Sequence, residues 1–205
     1  MQIGIINYKA GNAQSVASAV RAVGTDYRMI NGGDDLSHVD GVILPGVGSA
    51  GATMDSLAEL RLIEPLNTFV NEEKRPYLGI CVGLQVLFER SEEDDAECLG
   101  WLPGTVKRFD SSSLRVPQIG WNTLEKTQPH PIFEGTPEIR YGYFVNSYHA
   151  FPGDESLVIG TTDYGDRSTA IVAYDHIWAT QFHIEKSGPI GLRMLKNYLE
   201  MVTSC

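Results

Sequence analysis

Cysteine is scarce in this chain. There are three in 205 residues, Cys81, Cys98 and Cys205. An odd and sparse set does not make a disulfide framework. A reducing compartment, the cytoplasm, is where a lone reactive thiol persists. Positive charge is also short, with 16 Lys and Arg against 26 Asp and Glu and a net charge of -10. That balance argues against a nucleic-acid partner or an anionic membrane surface. No apolar run approaches the roughly 20 residues of a membrane span. The start, Met1-Gln2-Ile3-Gly4-Ile5-Ile6, lacks the basic region of a signal peptide and reads as a first strand. Metal-ligand spacings such as CxxC or HExxH are missing, so no metal site is expected. Repeats, low-complexity segments and clear linkers are missing too. One domain over residues 1–205 is the expectation, with a core large enough to be stable alone.

What is present alternates. An apolar strand at 2–7 is followed by a helix from 11 to 23, where Val16, Ala19, Val20 and Val23 recur at helical spacing. Gly24 ends that helix. Tyr27 to Ile30 reads as a strand, and residues 31–35 as a turn. Gly41-Val42-Ile43-Leu44 is a continuous apolar run, as in a strand buried on both faces of a parallel sheet. Residues 51–73 read as helix in one or two pieces, broken near Pro65, and 77–80 as another strand. This alternation predicts βαβ units, an α/β fold with a mostly parallel central sheet flanked by helices. After Phe88 come an acidic loop (91–95) and candidate strands at 105–109, 138–145, 157–161, 170–174 and 177–182. They are expected to extend the sheet with some antiparallel pairing. A last helix over 188–201 buries Ile190, Met194, Leu195, Tyr198 and Leu199.

The chemistry points to Gly79-Ile80-Cys81-Val82-Gly83. Glycines two residues either side of a cysteine, between a strand and a helix, have the spacing of a nucleophile elbow. Its strained turn leaves no room for a Cβ at the flanking positions. The following helix points free N–H groups at the sulfur and favours the thiolate, the reactive form. A base is then required, and the base needs an orienting group. Of five histidines, His183 stands out in Gln181-Phe182-His183-Ile184-Glu185. In extended backbone, residues two apart share a side, so Glu185 could hold the imidazole as the third member of a triad. His38, His130, His149 and His176 lie in turns or near prolines and read as structural. Cys98, beside the acidic loop, and Cys205, at a terminus, read as inert. An oxyanion needs preorganised N–H donors. The N–H of Val82 is one candidate, and the loop Pro45-Gly46-Val47-Gly48 at the same sheet edge supplies another.

The paired motifs Gly79-Ile80-Cys81-Val82-Gly83-Leu84-Gln85 and Gln181-Phe182-His183-Ile184-Glu185 resemble those of the class I, triad-type glutamine amidotransferases. Further stretches, 116–122 (Val-Pro-Gln-Ile-Gly-Trp-Asn), 143–148 (Tyr-Phe-Val-Asn-Ser-Tyr) and Pro45-Gly46-Val47-Gly48, are similar to the glutaminase subunits of imidazole glycerol phosphate synthases, in histidine biosynthesis. The likeness covers essentially the whole chain. It implies a flavodoxin-like fold and a cysteine nucleophile, Cys81, that attacks the glutamine carboxamide and forms a thioester. It implies His183 and Glu185 as base and orienter, with Val47, Gly48 and Val82 at the oxyanion. Gln85, Glu93, Ser147 and Tyr148 would bind substrate. Glu93 reads equally as one member of a solvated acidic run. Ammonia would pass to a (β/α)8-barrel cyclase subunit, with Asn12, Tyr143 and Lys186 at the interface, and the resemblance implies no cofactor or metal. Glutaminase subunits serving pyridoxal phosphate, anthranilate or purine synthesis are the alternative. An inert module on the same fold, or another thiol protein such as a peptidase, fits the intact triad and Gln85 less well. One departure is visible: the family has His-Pro-Glu where this chain has His183-Ile184-Glu185.

Overall fold

The computed structural model describes residues 1–8 and 11–204, so Cys205 lies outside the described residues. The first 85 residues give β1 (Gln2–Ile6), α1 (Ala13–Ala22), β2 (Asp26–Ile30), β3 (Gly41–Leu44), α2 (Ala50–Glu59), α3 (Ile63–Asn67), β4 (Tyr77–Ile80) and α4 (Val82–Gln85). Next come β5 (Arg90–Ser91), β6 (Ala96–Glu97), β7 (Gly104–Arg108), β8 (Gln118–Thr123), β9 (Glu125–Lys126) and β10 (Tyr141–Asn146). The chain continues through β11 (Tyr148–Pro152), β12 (Val158–Tyr164), β13 (Asp166–Tyr174), β14 (Ile177–Thr180) and α5 (Gly188–Ser204).

The central sheet runs β2-β1-β3-β4-β14-β13-β12-β9. Its first five strands are parallel and in the doubly wound, flavodoxin-like order. Its last three are antiparallel. Every residue of β3, β4 and β14 is buried, which explains their unbroken apolar runs. Helix α1 buries Val16, Ala17, Ala19 and Val20 and ends at Gly24, whose φ of +85° only glycine adopts without strain. It packs on α5, where Met194, Leu195, Tyr198 and Leu199 are buried and Ile190 is half-buried. No described helix is long and apolar enough to cross a membrane.

Four expectations need correction. The helical stretch breaks at Arg61, with φ +53°, and not at Pro65. Pro65 sits in the first turn of α3, where a missing N–H costs no bond. The turn expected at 31–35 is a longer 3-10 helix over Gly33–His38. The second half does more than extend the sheet. It builds a separate β8–β10 pair and a four-stranded sheet, β11-β7-β5-β6. Strands β8 and β11 were not anticipated: a glycine at φ +133°, Gly120, sits inside β8, and Pro152 closes β11.

The topology decides where the chemistry sits. Strand β4 lies between β3 and β14, with Leu44 and Ala179 both in register with Gly79. Parallel neighbours end at one edge. The segments that follow them, 45–48, 81–85 and 181–185, therefore emerge side by side.

Candidate active site

Cys81 has φ 55° and ψ -105°, a conformation that costs about 1–3 kcal/mol and persists only when neighbours enforce it. Its N–H donates to Thr180 O at 2.8 Å, which ties the turn to β14. A Cβ on Gly79 would lie 2.3 Å from Gly83 O, and one on Gly83 2.1 Å from Leu44 O. Both glycines are therefore steric requirements of the elbow. The helix behind the sulfur is one turn, Val82–Gln85, so its dipole is small. Val82 is the first residue of that turn, so its N–H has no acceptor within the helix.

The side chains of His183 and Glu185 are buried, and His183 Nδ1 lies 3.0 Å from Glu185 Oε1. The pairing is as the sequence implied, but the backbone reason differs. Strand β14 ends at Thr180, and Ile184–Lys186 form a 3-10 turn that brings the carboxylate back under the ring. Ile184, fully buried, fills the first position of that turn, where proline is also at home. Burial opposes the imidazolium, but hydrogen bonds and charge from Cys81 and Glu185 outweigh it and raise His183 to about 9. His183 N–H donates to Tyr143 O at 2.9 Å, and the Ser187 hydroxyl accepts from Tyr143 N–H at 3.0 Å while donating to His183 O at 2.7 Å. Strand β10 thus holds the loop of the base.

A cavity of about 200 Å³ opens at Cys81 and is lined by Gly48, Val82, Gln85, Glu93, Ser147 and Tyr148 among others. The structure brings together those sequence-derived residues. Glu93 is half-buried at this cavity while Asp94 and Asp95 are exposed, which separates it from the acidic run. Its Oε2 accepts from Ala50 N–H at 3.1 Å, and burial raises its carboxyl. Gln85 donates from Nε2 to Tyr148 O at 3.0 Å and to Gln181 Oε1 at 3.1 Å, and Gln181 Nε2 lies 3.6 Å from Cys81 Sγ. Tyr8 donates to Pro45 O at 2.7 Å, which anchors one end of the loop at 45–48. A Cβ on Gly46 would lie 2.7 Å from Val82 Cβ, so that loop packs directly on the elbow. Val47 is exposed.

Asn12, placed at an interface by the sequence reading, is 2% exposed and donates to Glu185 Oε1 at 3.2 Å. It belongs inside the site. Tyr143 is half-buried and Lys186 exposed. Sequence reasoning missed Gln181 as a neighbour of the sulfur, although it opens the motif that carries His183. It also missed the wall residues Pro117, Val145 and Asn146. The other histidines hold structure: His130 Nδ1 accepts from Ile132 N–H at 3.2 Å, His149 stacks on Phe109, and His176 Nε2 lies 2.7 Å from Val70 O. Cys98 is pushed up to about 11, and the cause is burial, not the acidic loop. Among the described residues no group of three His, Cys, Asp or Glu is placed to hold a metal ion.

Comparison with known proteins agrees with this geometry. The model of the family "Glutamine amidotransferase class-I" matches residues 5–202. The imidazole glycerol phosphate synthase subunit HisH of Synechococcus sp. (strain JA-3-3Ab) is 42% identical over 205 residues, 98% of this chain and 94% of that protein. The subunit of that name from Methanocaldococcus jannaschii is 41% identical, over 98% of this chain and 100% of its own. Among solved structures, PurLQS from Thermotoga maritima superposes with a TM-score of 0.79 at 17% identity, covering 98% of each chain. A second, described as a glutamine amidotransferase, gives 0.78 at 20% identity over 98% of each chain. At those identities the structures speak for the fold alone, and the sequence relatives for the family: the chain belongs to the class-I glutamine amidotransferases.

Proposed function

We propose that the chain is the glutaminase subunit of an imidazole glycerol phosphate synthase, acting in the cytoplasm in histidine biosynthesis. The observation that carries the chemistry is the buried His183–Glu185 pair beside Cys81, opening on a cavity lined by Gln85, Glu93, Ser147 and Tyr148. The pathway rests on the relatives at about two-fifths identity, which bear that synthase's name. Subunits serving pyridoxal phosphate, anthranilate or purine synthesis are the second reading, which the names of those relatives do not favour.

In this reading His183 takes the Cys81 proton, and the thiolate attacks the carboxamide carbon of glutamine. Val82 N–H and the Val47–Gly48 peptide receive the oxyanion. The tetrahedral intermediate collapses with cleavage of C–N, and the imidazolium gives its proton to the leaving ammonia. Water, deprotonated by His183, then cleaves the γ-glutamyl thioester to glutamate. The Glu93 carboxylate suits the substrate α-ammonium. Gln85 Oε1 is buried and without a partner among the described residues, which suits it to accept a substrate N–H.

A partner surface lies next to this cavity. On the β8–β10 pair, Ile119 faces Val145, Trp121 faces Tyr143 and Thr123 faces Tyr141. Alternate residues share a face, so these six point one way. Ile119, Trp121, Tyr141 and Val145 are exposed. An apolar face of this kind on a soluble chain marks a docking site, and Val145 also lines the cavity. It suits the (β/α)8-barrel cyclase that would take up the ammonia, with Lys186 and Tyr143 at its rim.

The test is Cys81→Ala in the complex with the cyclase. Glutamine-dependent synthesis is expected to be abolished and ammonia-dependent synthesis retained. Glutamine turnover by that variant would remove Cys81 as the nucleophile.

A further inference from the structure

Two buried amides connect the nucleophile to the opposite wall of the cavity, and the connection can be read without choosing their orientation freely. A backbone carbonyl only accepts. Tyr148 O therefore fixes which end of the Gln85 amide faces it, the Nε2 end at 3.0 Å. The same Nε2 lies 3.1 Å from Gln181, so the Gln181 atom at that point is the acceptor Oε1. The Gln181 amide is planar, and its Nε2 then faces the other way, 3.6 Å from Cys81 Sγ. Gln181 is 1% exposed and Gln85 3% exposed, so solvent does not compete for either amide.

We infer that Gln181 is a further catalytic residue: its amide N–H holds the Cys81 sulfur while its carbonyl holds Gln85, so one buried side chain fixes the nucleophile relative to the substrate-binding wall. This deepens the glutaminase reading and rests on it. A neutral thiol is a weak acceptor, and a thiolate a strong one. A donor already aimed at sulfur therefore stabilises the anion before attack. It acts again when water breaks the thioester, because thiolate is then the leaving group. The donor is in place throughout and need not reorganise as charge appears. It adds to the imidazolium of His183, which reaches the same sulfur.

The test separates this role from packing. Gln181→Met keeps much of the side-chain length but removes both the donor and the acceptor. Gln181→Glu keeps an acceptor for Gln85 Nε2 and puts a carboxylate beside the sulfur. Two readouts are taken on the full chain. One is the pH dependence of Cys81 alkylation by iodoacetamide, followed by peptide mapping. The other is kcat and KM for glutamine hydrolysis with the partner subunit. In Gln181→Met the alkylation midpoint is expected to rise by about one pH unit, as expected for loss of a hydrogen bond to a charged acceptor, with kcat down about tenfold. In Gln181→Glu the midpoint rises further while KM stays near the starting value. An unchanged midpoint and kcat in Gln181→Met would overturn the inference. If that variant does not fold, an unchanged midpoint in Gln181→Glu does so. Alkylation needs no glutamine, so it reports on Gln181 even if the glutaminase reading fails. That reading falls separately, on turnover by Cys81→Ala.

Discussion

The two sides of the cavity are built on opposite terms. At the elbow there is no free space: the missing Cβ of Gly83 would sit 2.1 Å from a backbone oxygen of β3. At the loop 45–48, Gly48 has φ +112° and a Cβ there would meet nothing within 4 Å. Cys81 is clamped by sheet and helix together, whereas the loop at 45–48 is secured at Pro45 by Tyr8 and at the start of α2 by its Ser49 cap. A reacting sulfur gains from being fixed, because misplacement of about 1 Å is costly to rate. A donor loop gains from clearance, because a peptide can turn there without displacing its neighbours.

Substitution can break this contrast. Gly83→Ala forces β3 and α4 apart, and thermal or denaturant unfolding is expected to show a loss of about 3 kcal/mol or more, with glutaminase activity gone. Gly48→Ala meets only the strain of its dihedral angle, about 1–2 kcal/mol by the same measurement. Equal damage from the two would show that the contrast in space has no energetic meaning.

A milder change sharpens it on the clamped side. Asn12 Nδ2 and His183 Nδ1 share Glu185 Oε1. Asn12→Ala leaves that buried carboxylate with one donor fewer. About a tenfold drop in kcat is expected, with little change in KM, since the orienting group and not the substrate is affected. The smallest effect is in pH. His183 is raised from 6.5 to about 9 in the folded chain, so its contribution to stability is complete below about pH 6.5 and is lost as pH rises through about 9. The difference in melting temperature between the natural chain and His183→Gln should shrink over that window. A difference that grew with pH would contradict a charged His183.

The same contrast explains what could be read from the chain alone. The parallel half was legible because its central strands β3, β4 and β14 are covered on both faces and its elbow demands glycine at 79 and 83. Both leave marks at fixed spacing. The other half was less so. Strand β8, Gln118–Thr123, mixes an exposed tryptophan with a left-handed glycine, since one of its faces is apolar without being buried. Gln181 escaped notice because its role depends on Tyr148 and Gln85, which approach it only through the fold. Asn12 was placed at the partner interface by the resemblance alone, and nothing in the local sequence shows where its side chain points. Here it is turned inward by a carboxylate 173 positions away.

Cys81 and Gln181 stand 100 positions apart, on segments that leave adjacent parallel strands. Synthesis from the N-terminus therefore delivers the sulfur long before anything that can activate it. A chain stalled or clipped ahead of β14 would carry a cysteine with neither base nor amide donor. The sulfur and its amide neighbour therefore meet only once β14, the last parallel strand in the chain, has docked beside β4.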